Sequence, residues 1–474
     1  MKRSFTRYIA DGRKHPFLLT TARETAAKAK AVFEKKEESA VRALRALERA
    51  ATPRPVFPAG IVGDAAAIET LNAAYLAALY RAGGDEKKSA VFAARARKAL
   101  LLYAGHEAPG YHHGYGWLVQ LYLITLAIAY DLVWDICQWS AAEREALRRM
   151  FHTSIPDLID SMHSKHMSNH GAWPMCRAAM TAFLYGDEEI AREVMDGPDS
   201  YCERLAHMFF DDGMSYEQSA TVYQQFSVLP MLVTALAAKG AGAQGDPLKV
   251  KVENELSLAF RGGSTGDYDM PFYPADEKEC PRPQWKDLQT ALTAQFGLLR
   301  PDTTCPSMGD YGQAEGPMSA HWITEAAWSI YGDRRAARLL AMGGRGETGS
   351  QIFGAHFLTL AKGRALPAAA SFAAKSSIYP QAGYAVLRSV EGDAYWGSNA
   401  TQAVMKFGPF GNGHGHADKL HLEISGAGHK CCTEDLDRES TIWRYWNSTV
   451  SHNSVVIGGR SQPGDEEMFA LNNS

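Results

Sequence analysis

"GRALPAAASFAAKSS", residues 363–377, is the stretch on which the fold turns. It is a Pro/Ala/Ser linker, and the sequence on its two sides differs in kind. Before it, residues 20–360 are helical in character. Ala, Leu, Glu, Lys and Arg dominate, as in TARETAAKAKAVFEKKEESAVRALRALERA (21–50) and DEKKSAVFAARARKALLLYAG (85–105). Segments at 66–82, 117–138, 141–163, 173–185, 187–210, 217–239, 248–260, 286–297 and 318–342 continue the pattern, punctuated by Gly, Pro and Asp. A series of about ten helices with no strand signal between them predicts an all-α domain over 1–365, its helical hairpins stacked into an (α/α) toroid. Past the linker come SIYPQAGYAVLRS, GDAYWGSNATQAVMKFG, KLHLEISGAG and STVSHNSVVIGG, short runs rich in β-branched and aromatic residues. LHLEI alternates at Leu420, Leu422 and Ile424. These runs predict an antiparallel β-sheet domain of sandwich type over 366–474. The fold class is therefore α+β and multidomain, and a sheet begun this late looks unfinished.

Composition sets the outer bounds. A chain of 474 residues is long for one core and fits two domains. Hydrophobic residues at 46% and charged residues at 22% are ordinary for a globular protein. A net charge of −4 gives no pointer to nucleic acid, although local basic patches for a polyanion fit inside such a balance. The basic start MKRSFTRYIADGRKHPF is not followed by an apolar signal-peptide core. WLVQLYLITLAIAYDLVW (117–134) holds Gln120 and Asp131 and reads as a buried core helix, not a membrane span. Seven scattered cysteines with no C-x-x-C pair suit neither a disulfide framework nor a cysteine zinc site. The cytoplasm is the expected compartment, or the periplasm or exterior if the N-terminus was trimmed.

Four stretches gather chemistry. FGPFGNGHGHADKL (407–420) sets His414 and His416 among glycines, with an aspartate two residues on. Downstream, DLDRESTIWRYWNSTVSHNSVVIGG (435–459) adds Asp435, Asp437 and His452. His416, Asp435 and His452 form a His–Asp–His set that suits Zn²⁺. The plainer reading is three polar residues at strand ends, satisfied by backbone and water. In MSNHGAWPMC (167–176), Asn169 and His170 stand at a helix start, where Asn also serves as an N-cap. FFDDGMSYEQSATVYQQF (209–226) ends one helix at DDG and opens another bearing Tyr216, Glu217, Gln218 and Tyr223. Tyrosines at helical spacing are commonly core.

Taken together, Asn-His-Gly in a helical domain, DGMSYEQS followed by a Tyr, FGPFGNGHGHAD and STVSHNSV resemble the heparinase II/III and alginate lyase superfamily. The resemblance covers about residues 100–460, and its GHGHAD and HN elements are the most specific. It implies an alginate-lyase-like toroid, a heparinase-like β domain, and β-elimination on uronic-acid polysaccharides of alginate or heparin/heparan sulfate type. By position, Asn169 and His170 match the residues that neutralise the carboxyl group, Tyr223 the catalytic tyrosine, and His414 the histidine facing substrate. His416, Asp435 and His452 match zinc ligands with a structural role, and no organic cofactor is implied. TEDLDRES departs from the usual Asp-x-Gly, so Asp437 competes with Asp435. The spacing from Glu217 to Tyr223 is one residue longer than the family's, which leaves Tyr216 as a lesser candidate beside Tyr223.

The chemistry suits these types. An Asn amide and a His N–H are fixed donors for the charge that grows on a uronate carboxyl group. Tyr223 can protonate the leaving oxygen, and either it or His414 can take the C5 proton. Metal at His416 would fix the glycine-rich run and aim His414. Tyr216, Glu217, Arg438 and Tyr445 are the expected substrate contacts, with Lys165 and Arg444 as further cations and GYHHGYGW (110–117) as a stacking surface. The expected partner is an acidic polysaccharide or oligosaccharide, with no nucleic acid or membrane, and an oligomer is open. The competing enzyme reading, a glycoside hydrolase on a similar toroid, needs two carboxylates about 5–10 Å apart, for which Glu217 and Asp310 are the nominees. A non-catalytic glycan-binding remnant is the third reading.

Overall fold

The computed structural model describes residues 4–51, 64–105, 116–164, 168–215, 222–253, 285–309, 317–343, 366–408, 416–432, 445 and 448–462. Helices fill the first part: α1 (Ala22–Ala29), α2 (Glu38–Ala50), α3 (Asp64–Ala82), α4 (Glu86–Gly105), α5 (Gly116–Val133), α6 (Ala141–His152) and α7 (Ile155–Ser164). They continue through α8 (Asn169–Tyr185), α9 (Glu188–Asp196), α10 (Tyr201–His207), α11 (Val222–Gly240), α12 (Leu288–Thr293), α13 (Trp322–Ala326) and α14 (Arg334–Gly343).

Local sequence explains the starts. Thr21 and Glu24 form a reciprocal capping box on α1, as Ser140 and Glu143 do on α6. The helices pack as an array, α3 on α4 and α5, α5 on α8, and α8 on α7, α9 and α11. One large core runs through them, with Trp173, Phe183, Tyr130 and Leu232 fully buried. No helix among the described residues is long and apolar enough to cross a membrane. Asp131, the anomaly of α5, is buried because it anchors the N-terminal segment. It lies 2.6 Å from His15 Nδ1 and accepts the Phe17 and Leu18 N–H groups, each at 2.8 Å. Cys137, Cys176, Cys202 and Cys305 are free thiols.

Several expected helices are corrected. The run 21–50 breaks at Lys36, a left-handed residue at φ 52°. The run 141–163 divides between α6 and α7, and 187–210 divides at Asp199, φ 51°. The described part of 248–260 is not helical and ends in a strand, β1 (Val252–Glu253), paired antiparallel with β2 (Trp285–Lys286). Its partner lies over 30 residues away, so local propensity gave no sign of the ladder.

After the linker the chain forms one five-stranded antiparallel sheet among the described residues: β3 (Ser377–Tyr379), β4 (Tyr384–Arg388), β5 (Gln402–Lys406), β6 (His421–Gly426) and β7 (His429–Cys432), in that spatial order. Helices followed by an antiparallel sheet is the order expected. The stretch STVSHNSVVIGG is not a strand, however; it forms a 3₁₀ turn at Thr449–Ser451 and a loop.

The sheet's buried face is partly polar. Tyr384, Val386 and Val404 pack with Phe210, Met214, Leu298 and Met308, while Gln402, Lys406, His421, Glu423 and Ser425 are also buried. Leu387 and Leu422 instead face outward, 66% and 37% exposed. Two of these polar residues, Gln402 and Glu423, find partners in the helical part. Arg300 Nε donates to Glu423 Oε1 at 3.0 Å, and Glu423 Oε2 accepts the Ser307 N–H at 2.8 Å. Gln402 Nε2 donates to the carbonyls of Leu298 and Leu299 at 3.1 and 3.0 Å.

Candidate functional site

The helical half of the site begins at α8. Ser168, not Asn169, is the N-cap; Asn169 is the first helical residue and is 5% exposed, while His170 is exposed. Pro174 lies inside this helix, so Asn-His-Gly-x-x-Pro begins α8 without interrupting it. Beneath the start of α8 sits a cation that sequence reasoning missed. Arg204 of α10 is fully buried and donates to the Ser168 carbonyl at 3.3 Å and the Met162 carbonyl at 2.8 Å. It thereby fixes the end of α7 to the start of α8.

Tyr223 stands in the first turn of α11, the helix that packs on α8, and is 6% exposed against Phe226. Its neighbour Gln224 is fully buried and clamps the preceding loop. Gln224 Oε1 accepts the Ser215 N–H, and Nε2 donates to the carbonyls of Gly213 at 3.0 Å and Ala291 at 2.7 Å.

That loop, Phe210–Ser215, is also the joint to the sheet. Gln381, in the β3–β4 hairpin, accepts the Asp211 N–H at 2.7 Å and donates to Asp211 Oδ2 at 2.7 Å. Asp212 accepts N–H bonds from Ala382 at 2.9 Å and from Gln381 and Met214 at 3.3 Å each. Burial pushes the Asp212 carboxyl up to about 6 despite those donors. Lys286 Nζ lies 3.4 Å from Asp211 Oδ1 and donates to the Ala206 and Phe209 carbonyls at 2.8 Å. Burial, aided by Lys286, lowers His207 to about 4 and keeps it neutral near pH 7.

The sheet half gathers around β5 and β6. His416, Asp418 and His452 are all buried, and each offers a ligand atom within 4.8 Å of the others. The His416 and His452 rings lie 5.2 Å apart, and His421 meets His452 edge-on at 5.7 Å. Two elements position them. A turn through Leu420, left-handed at φ 65°, lets its N–H reach the Lys406 carbonyl at 2.6 Å and sets Asp418 beside Lys406. The His452 loop is stitched on by Thr449 Oγ1 to the Ala417 carbonyl at 2.7 Å and by the Asn453 N–H to His421 Nδ1 at 3.2 Å. That last bond makes Nδ1 an acceptor, so neutral His421 carries its proton on Nε2.

Two imidazoles and a carboxylate are a donor set that fits zinc, although 4.8 Å is wider than the ~3.3 Å edges of a loaded tetrahedral site. Asp418 and Lys406, 2.7 Å apart and both fully buried, were not assigned from sequence. Asp418 was legible as the last letter of GHGHAD; Lys406 carried no signal.

The structure thus brings His416 and His452 together and sets Asn169 and Tyr223 on neighbouring helices. Tyr445 is 47% exposed. Tyr216, Glu217, His414, Asp435, Asp437, Arg438, Arg444, Lys165, Asp310 and the run 110–115 lie outside the described residues.

Comparison with known proteins falls on the same two halves. Residues 112–259 match the model of alginate lyase, and residues 373–474 match that of the heparinase II/III-like C-terminal domain. Comparison with curated proteins gives no match. Among solved structures, a heparan sulfate lyase HepC mutant from Pedobacter heparinus is similar at 15% identity and TM-score 0.49, over 94% of this chain and 70% of that one. A structure of heparinase III is similar at 15% and 0.49, over 96% and 65%. An alginate lyase from Bacteroides ovatus is similar at 14% and 0.42, over 73% and 99%.

Proposed function

We propose that this member of the heparinase II/III-like and alginate lyase superfamily is a polysaccharide lyase that cleaves a uronic-acid-containing chain by β-elimination. The observation that carries the reading is the placement of Asn169 and Tyr223. Both stand in the first turns of two packed helices, inside the alginate lyase match.

In this reading the Asn169 amide and the His170 ring donate to the uronate carboxyl group. Charge grows there as the C5–H bond breaks, and preorganised donors stabilise it most at that point. His414 or the Tyr223 oxygen takes the C5 proton. The electron pair becomes the C4–C5 double bond, the C4–O bond breaks, and the Tyr223 hydroxyl protonates the leaving oxygen. Tyr216, Glu217, Arg438 and Tyr445 contact the sugar chain.

His416 and His452, with Asp435 as the carboxylate expected from sequence, would hold zinc. When bound, zinc supplies a fixed positive charge that orders the glycine-rich run and takes no part in the bond changes.

The test is a panel of uronate polymers and oligomers, read by the ultraviolet absorbance of the unsaturated product. Tyr223→Phe keeps the ring and removes the proton-transferring oxygen, so kcat should fall by about 10²–10⁴-fold while KM changes little. No unsaturated product from any uronate substrate, or a Tyr223→Phe variant as active as the parent, defeats the proposal.

A further inference from the structure

We propose that Asp418 is a carboxylate ligand of the metal site and that Lys406 is its resident counter-cation, holding it in place whether or not a metal is bound. This rests on the metal reading above and deepens it.

Strand pairing delivers Lys406. It is the last residue of β5, directly opposite His421 on β6, and its side chain points to the buried face. Its Nζ lies 2.7 Å from Asp418 Oδ2, and both residues are fully buried. A carboxylate this deep without a cation is strongly unfavourable, and Lys406 offsets its charge. The other oxygen, Oδ1, is buried and has no hydrogen-bond partner among the described residues. Buried acceptors are rarely left so. His416 and His452 each bring a ring nitrogen within 4.8 Å of a carboxylate oxygen of Asp418 and of one another. A cation at Oδ1 would complete a His–carboxylate–His set without displacing the lysine, which occupies the opposite oxygen.

Two consequences separate this arrangement from a zinc that holds the fold. Zinc affinity should depend on Asp418. The metal-free sheet should keep its stability because Lys406 remains.

The experiment uses the full chain, stripped with a chelator and titrated with zinc by calorimetry. Asp418→Asn should weaken binding at least ten-fold. The stripped parent should melt within a few degrees of its zinc-loaded form. Lys406→Met should melt several degrees lower when stripped and gain more from added zinc than the parent does, a response that loss of packing alone would not give. The double variant Asp418→Asn/Lys406→Met should melt above Lys406→Met, since it leaves no unpaired charge. If Lys406→Met does not fold, a folded double variant gives the same answer.

Unchanged zinc affinity in Asp418→Asn, with loss in Asp435→Asn, overturns the ligand role. A Lys406→Met variant with the parent's melting point and zinc response overturns the counter-cation role, as does a double variant no better than the single. A parent that binds no zinc defeats the metal reading and with it the ligand role of Asp418, while the melting points of the stripped variants still decide Lys406.

Discussion

His321 should make this protein acid-sensitive, and the size of the effect follows from its burial. The residue is 5% exposed at the start of α13, where Nδ1 accepts the Ile323 N–H at 3.2 Å. Its Nε2 is buried with no hydrogen-bond partner among the described residues. Burial alone lowers its pKa from 6.5 to about 3. Below pH 6.5 the unfolded chain therefore takes up a proton that the folded chain refuses, and stability falls as pH falls. At 1.36 kcal/mol per unit, the loss between pH 7.5 and pH 5 is about 2 kcal/mol. His321→Asn keeps a side-chain oxygen for the Ile323 N–H, since Asn is a favoured N-cap, and removes the titration. Urea unfolding of parent and variant at both pH values measures the difference, in which all other titrating groups cancel. The variant should gain about 2 kcal/mol on the parent as pH drops to 5. A parent–variant difference constant to within about 0.5 kcal/mol would refute the reasoning, because His321 would then be solvated or hydrogen-bonded when charged.

Other expectations concern the seam between the two parts. Arg300 and Glu423 are a buried pair, so Glu423→Gln should cost about 3 kcal/mol in urea unfolding, while Arg300→Met with Glu423→Leu should recover most of it. Asp212, raised to about 6, has the opposite sign to His321: the folded carboxyl holds its proton longer, so its contribution is present at low pH and lost as pH rises through 6. Asp212→Asn should accordingly gain about 2 kcal/mol on the parent between pH 4.5 and 7.5, by the same unfolding comparison. Gly383 has φ +74°, and a Cβ there would meet Gly408 Cα at 1.8 Å. Gly383→Ala should therefore lower the melting temperature markedly and, by displacing the entry to the glycine-rich run, reduce the proposed lyase activity more than Gly392→Ala, where no atom lies within 4 Å.

The sequence by itself determined what is local. Helical composition, the Thr21 and Ser140 caps and the linker at 363–377 separate a helical part from a sheet, because each is a property of a few adjacent residues. The motifs GHGHAD and SHN marked His416 and His452, which the fold brings to a ring separation of 5.2 Å. Tertiary structure decided the rest. LHLEI alternates as a strand must, but alternation cannot say which face is buried. Here it is His421 and Glu423 that point inward, because Arg300 and Ser307 across the seam bond Glu423 and the Asn453 N–H bonds His421. The strand at Val252 likewise depended on Trp285–Lys286, and the His452 stretch became a loop tied to Ala417 and His421. Lys406 looks like any strand lysine; only the pairing of β5 with β6 and the left-handed turn at Leu420 set its ammonium against Asp418. A side chain's partner across a sheet is fixed by register and by packing between segments, and the residue pattern of one strand does not name it.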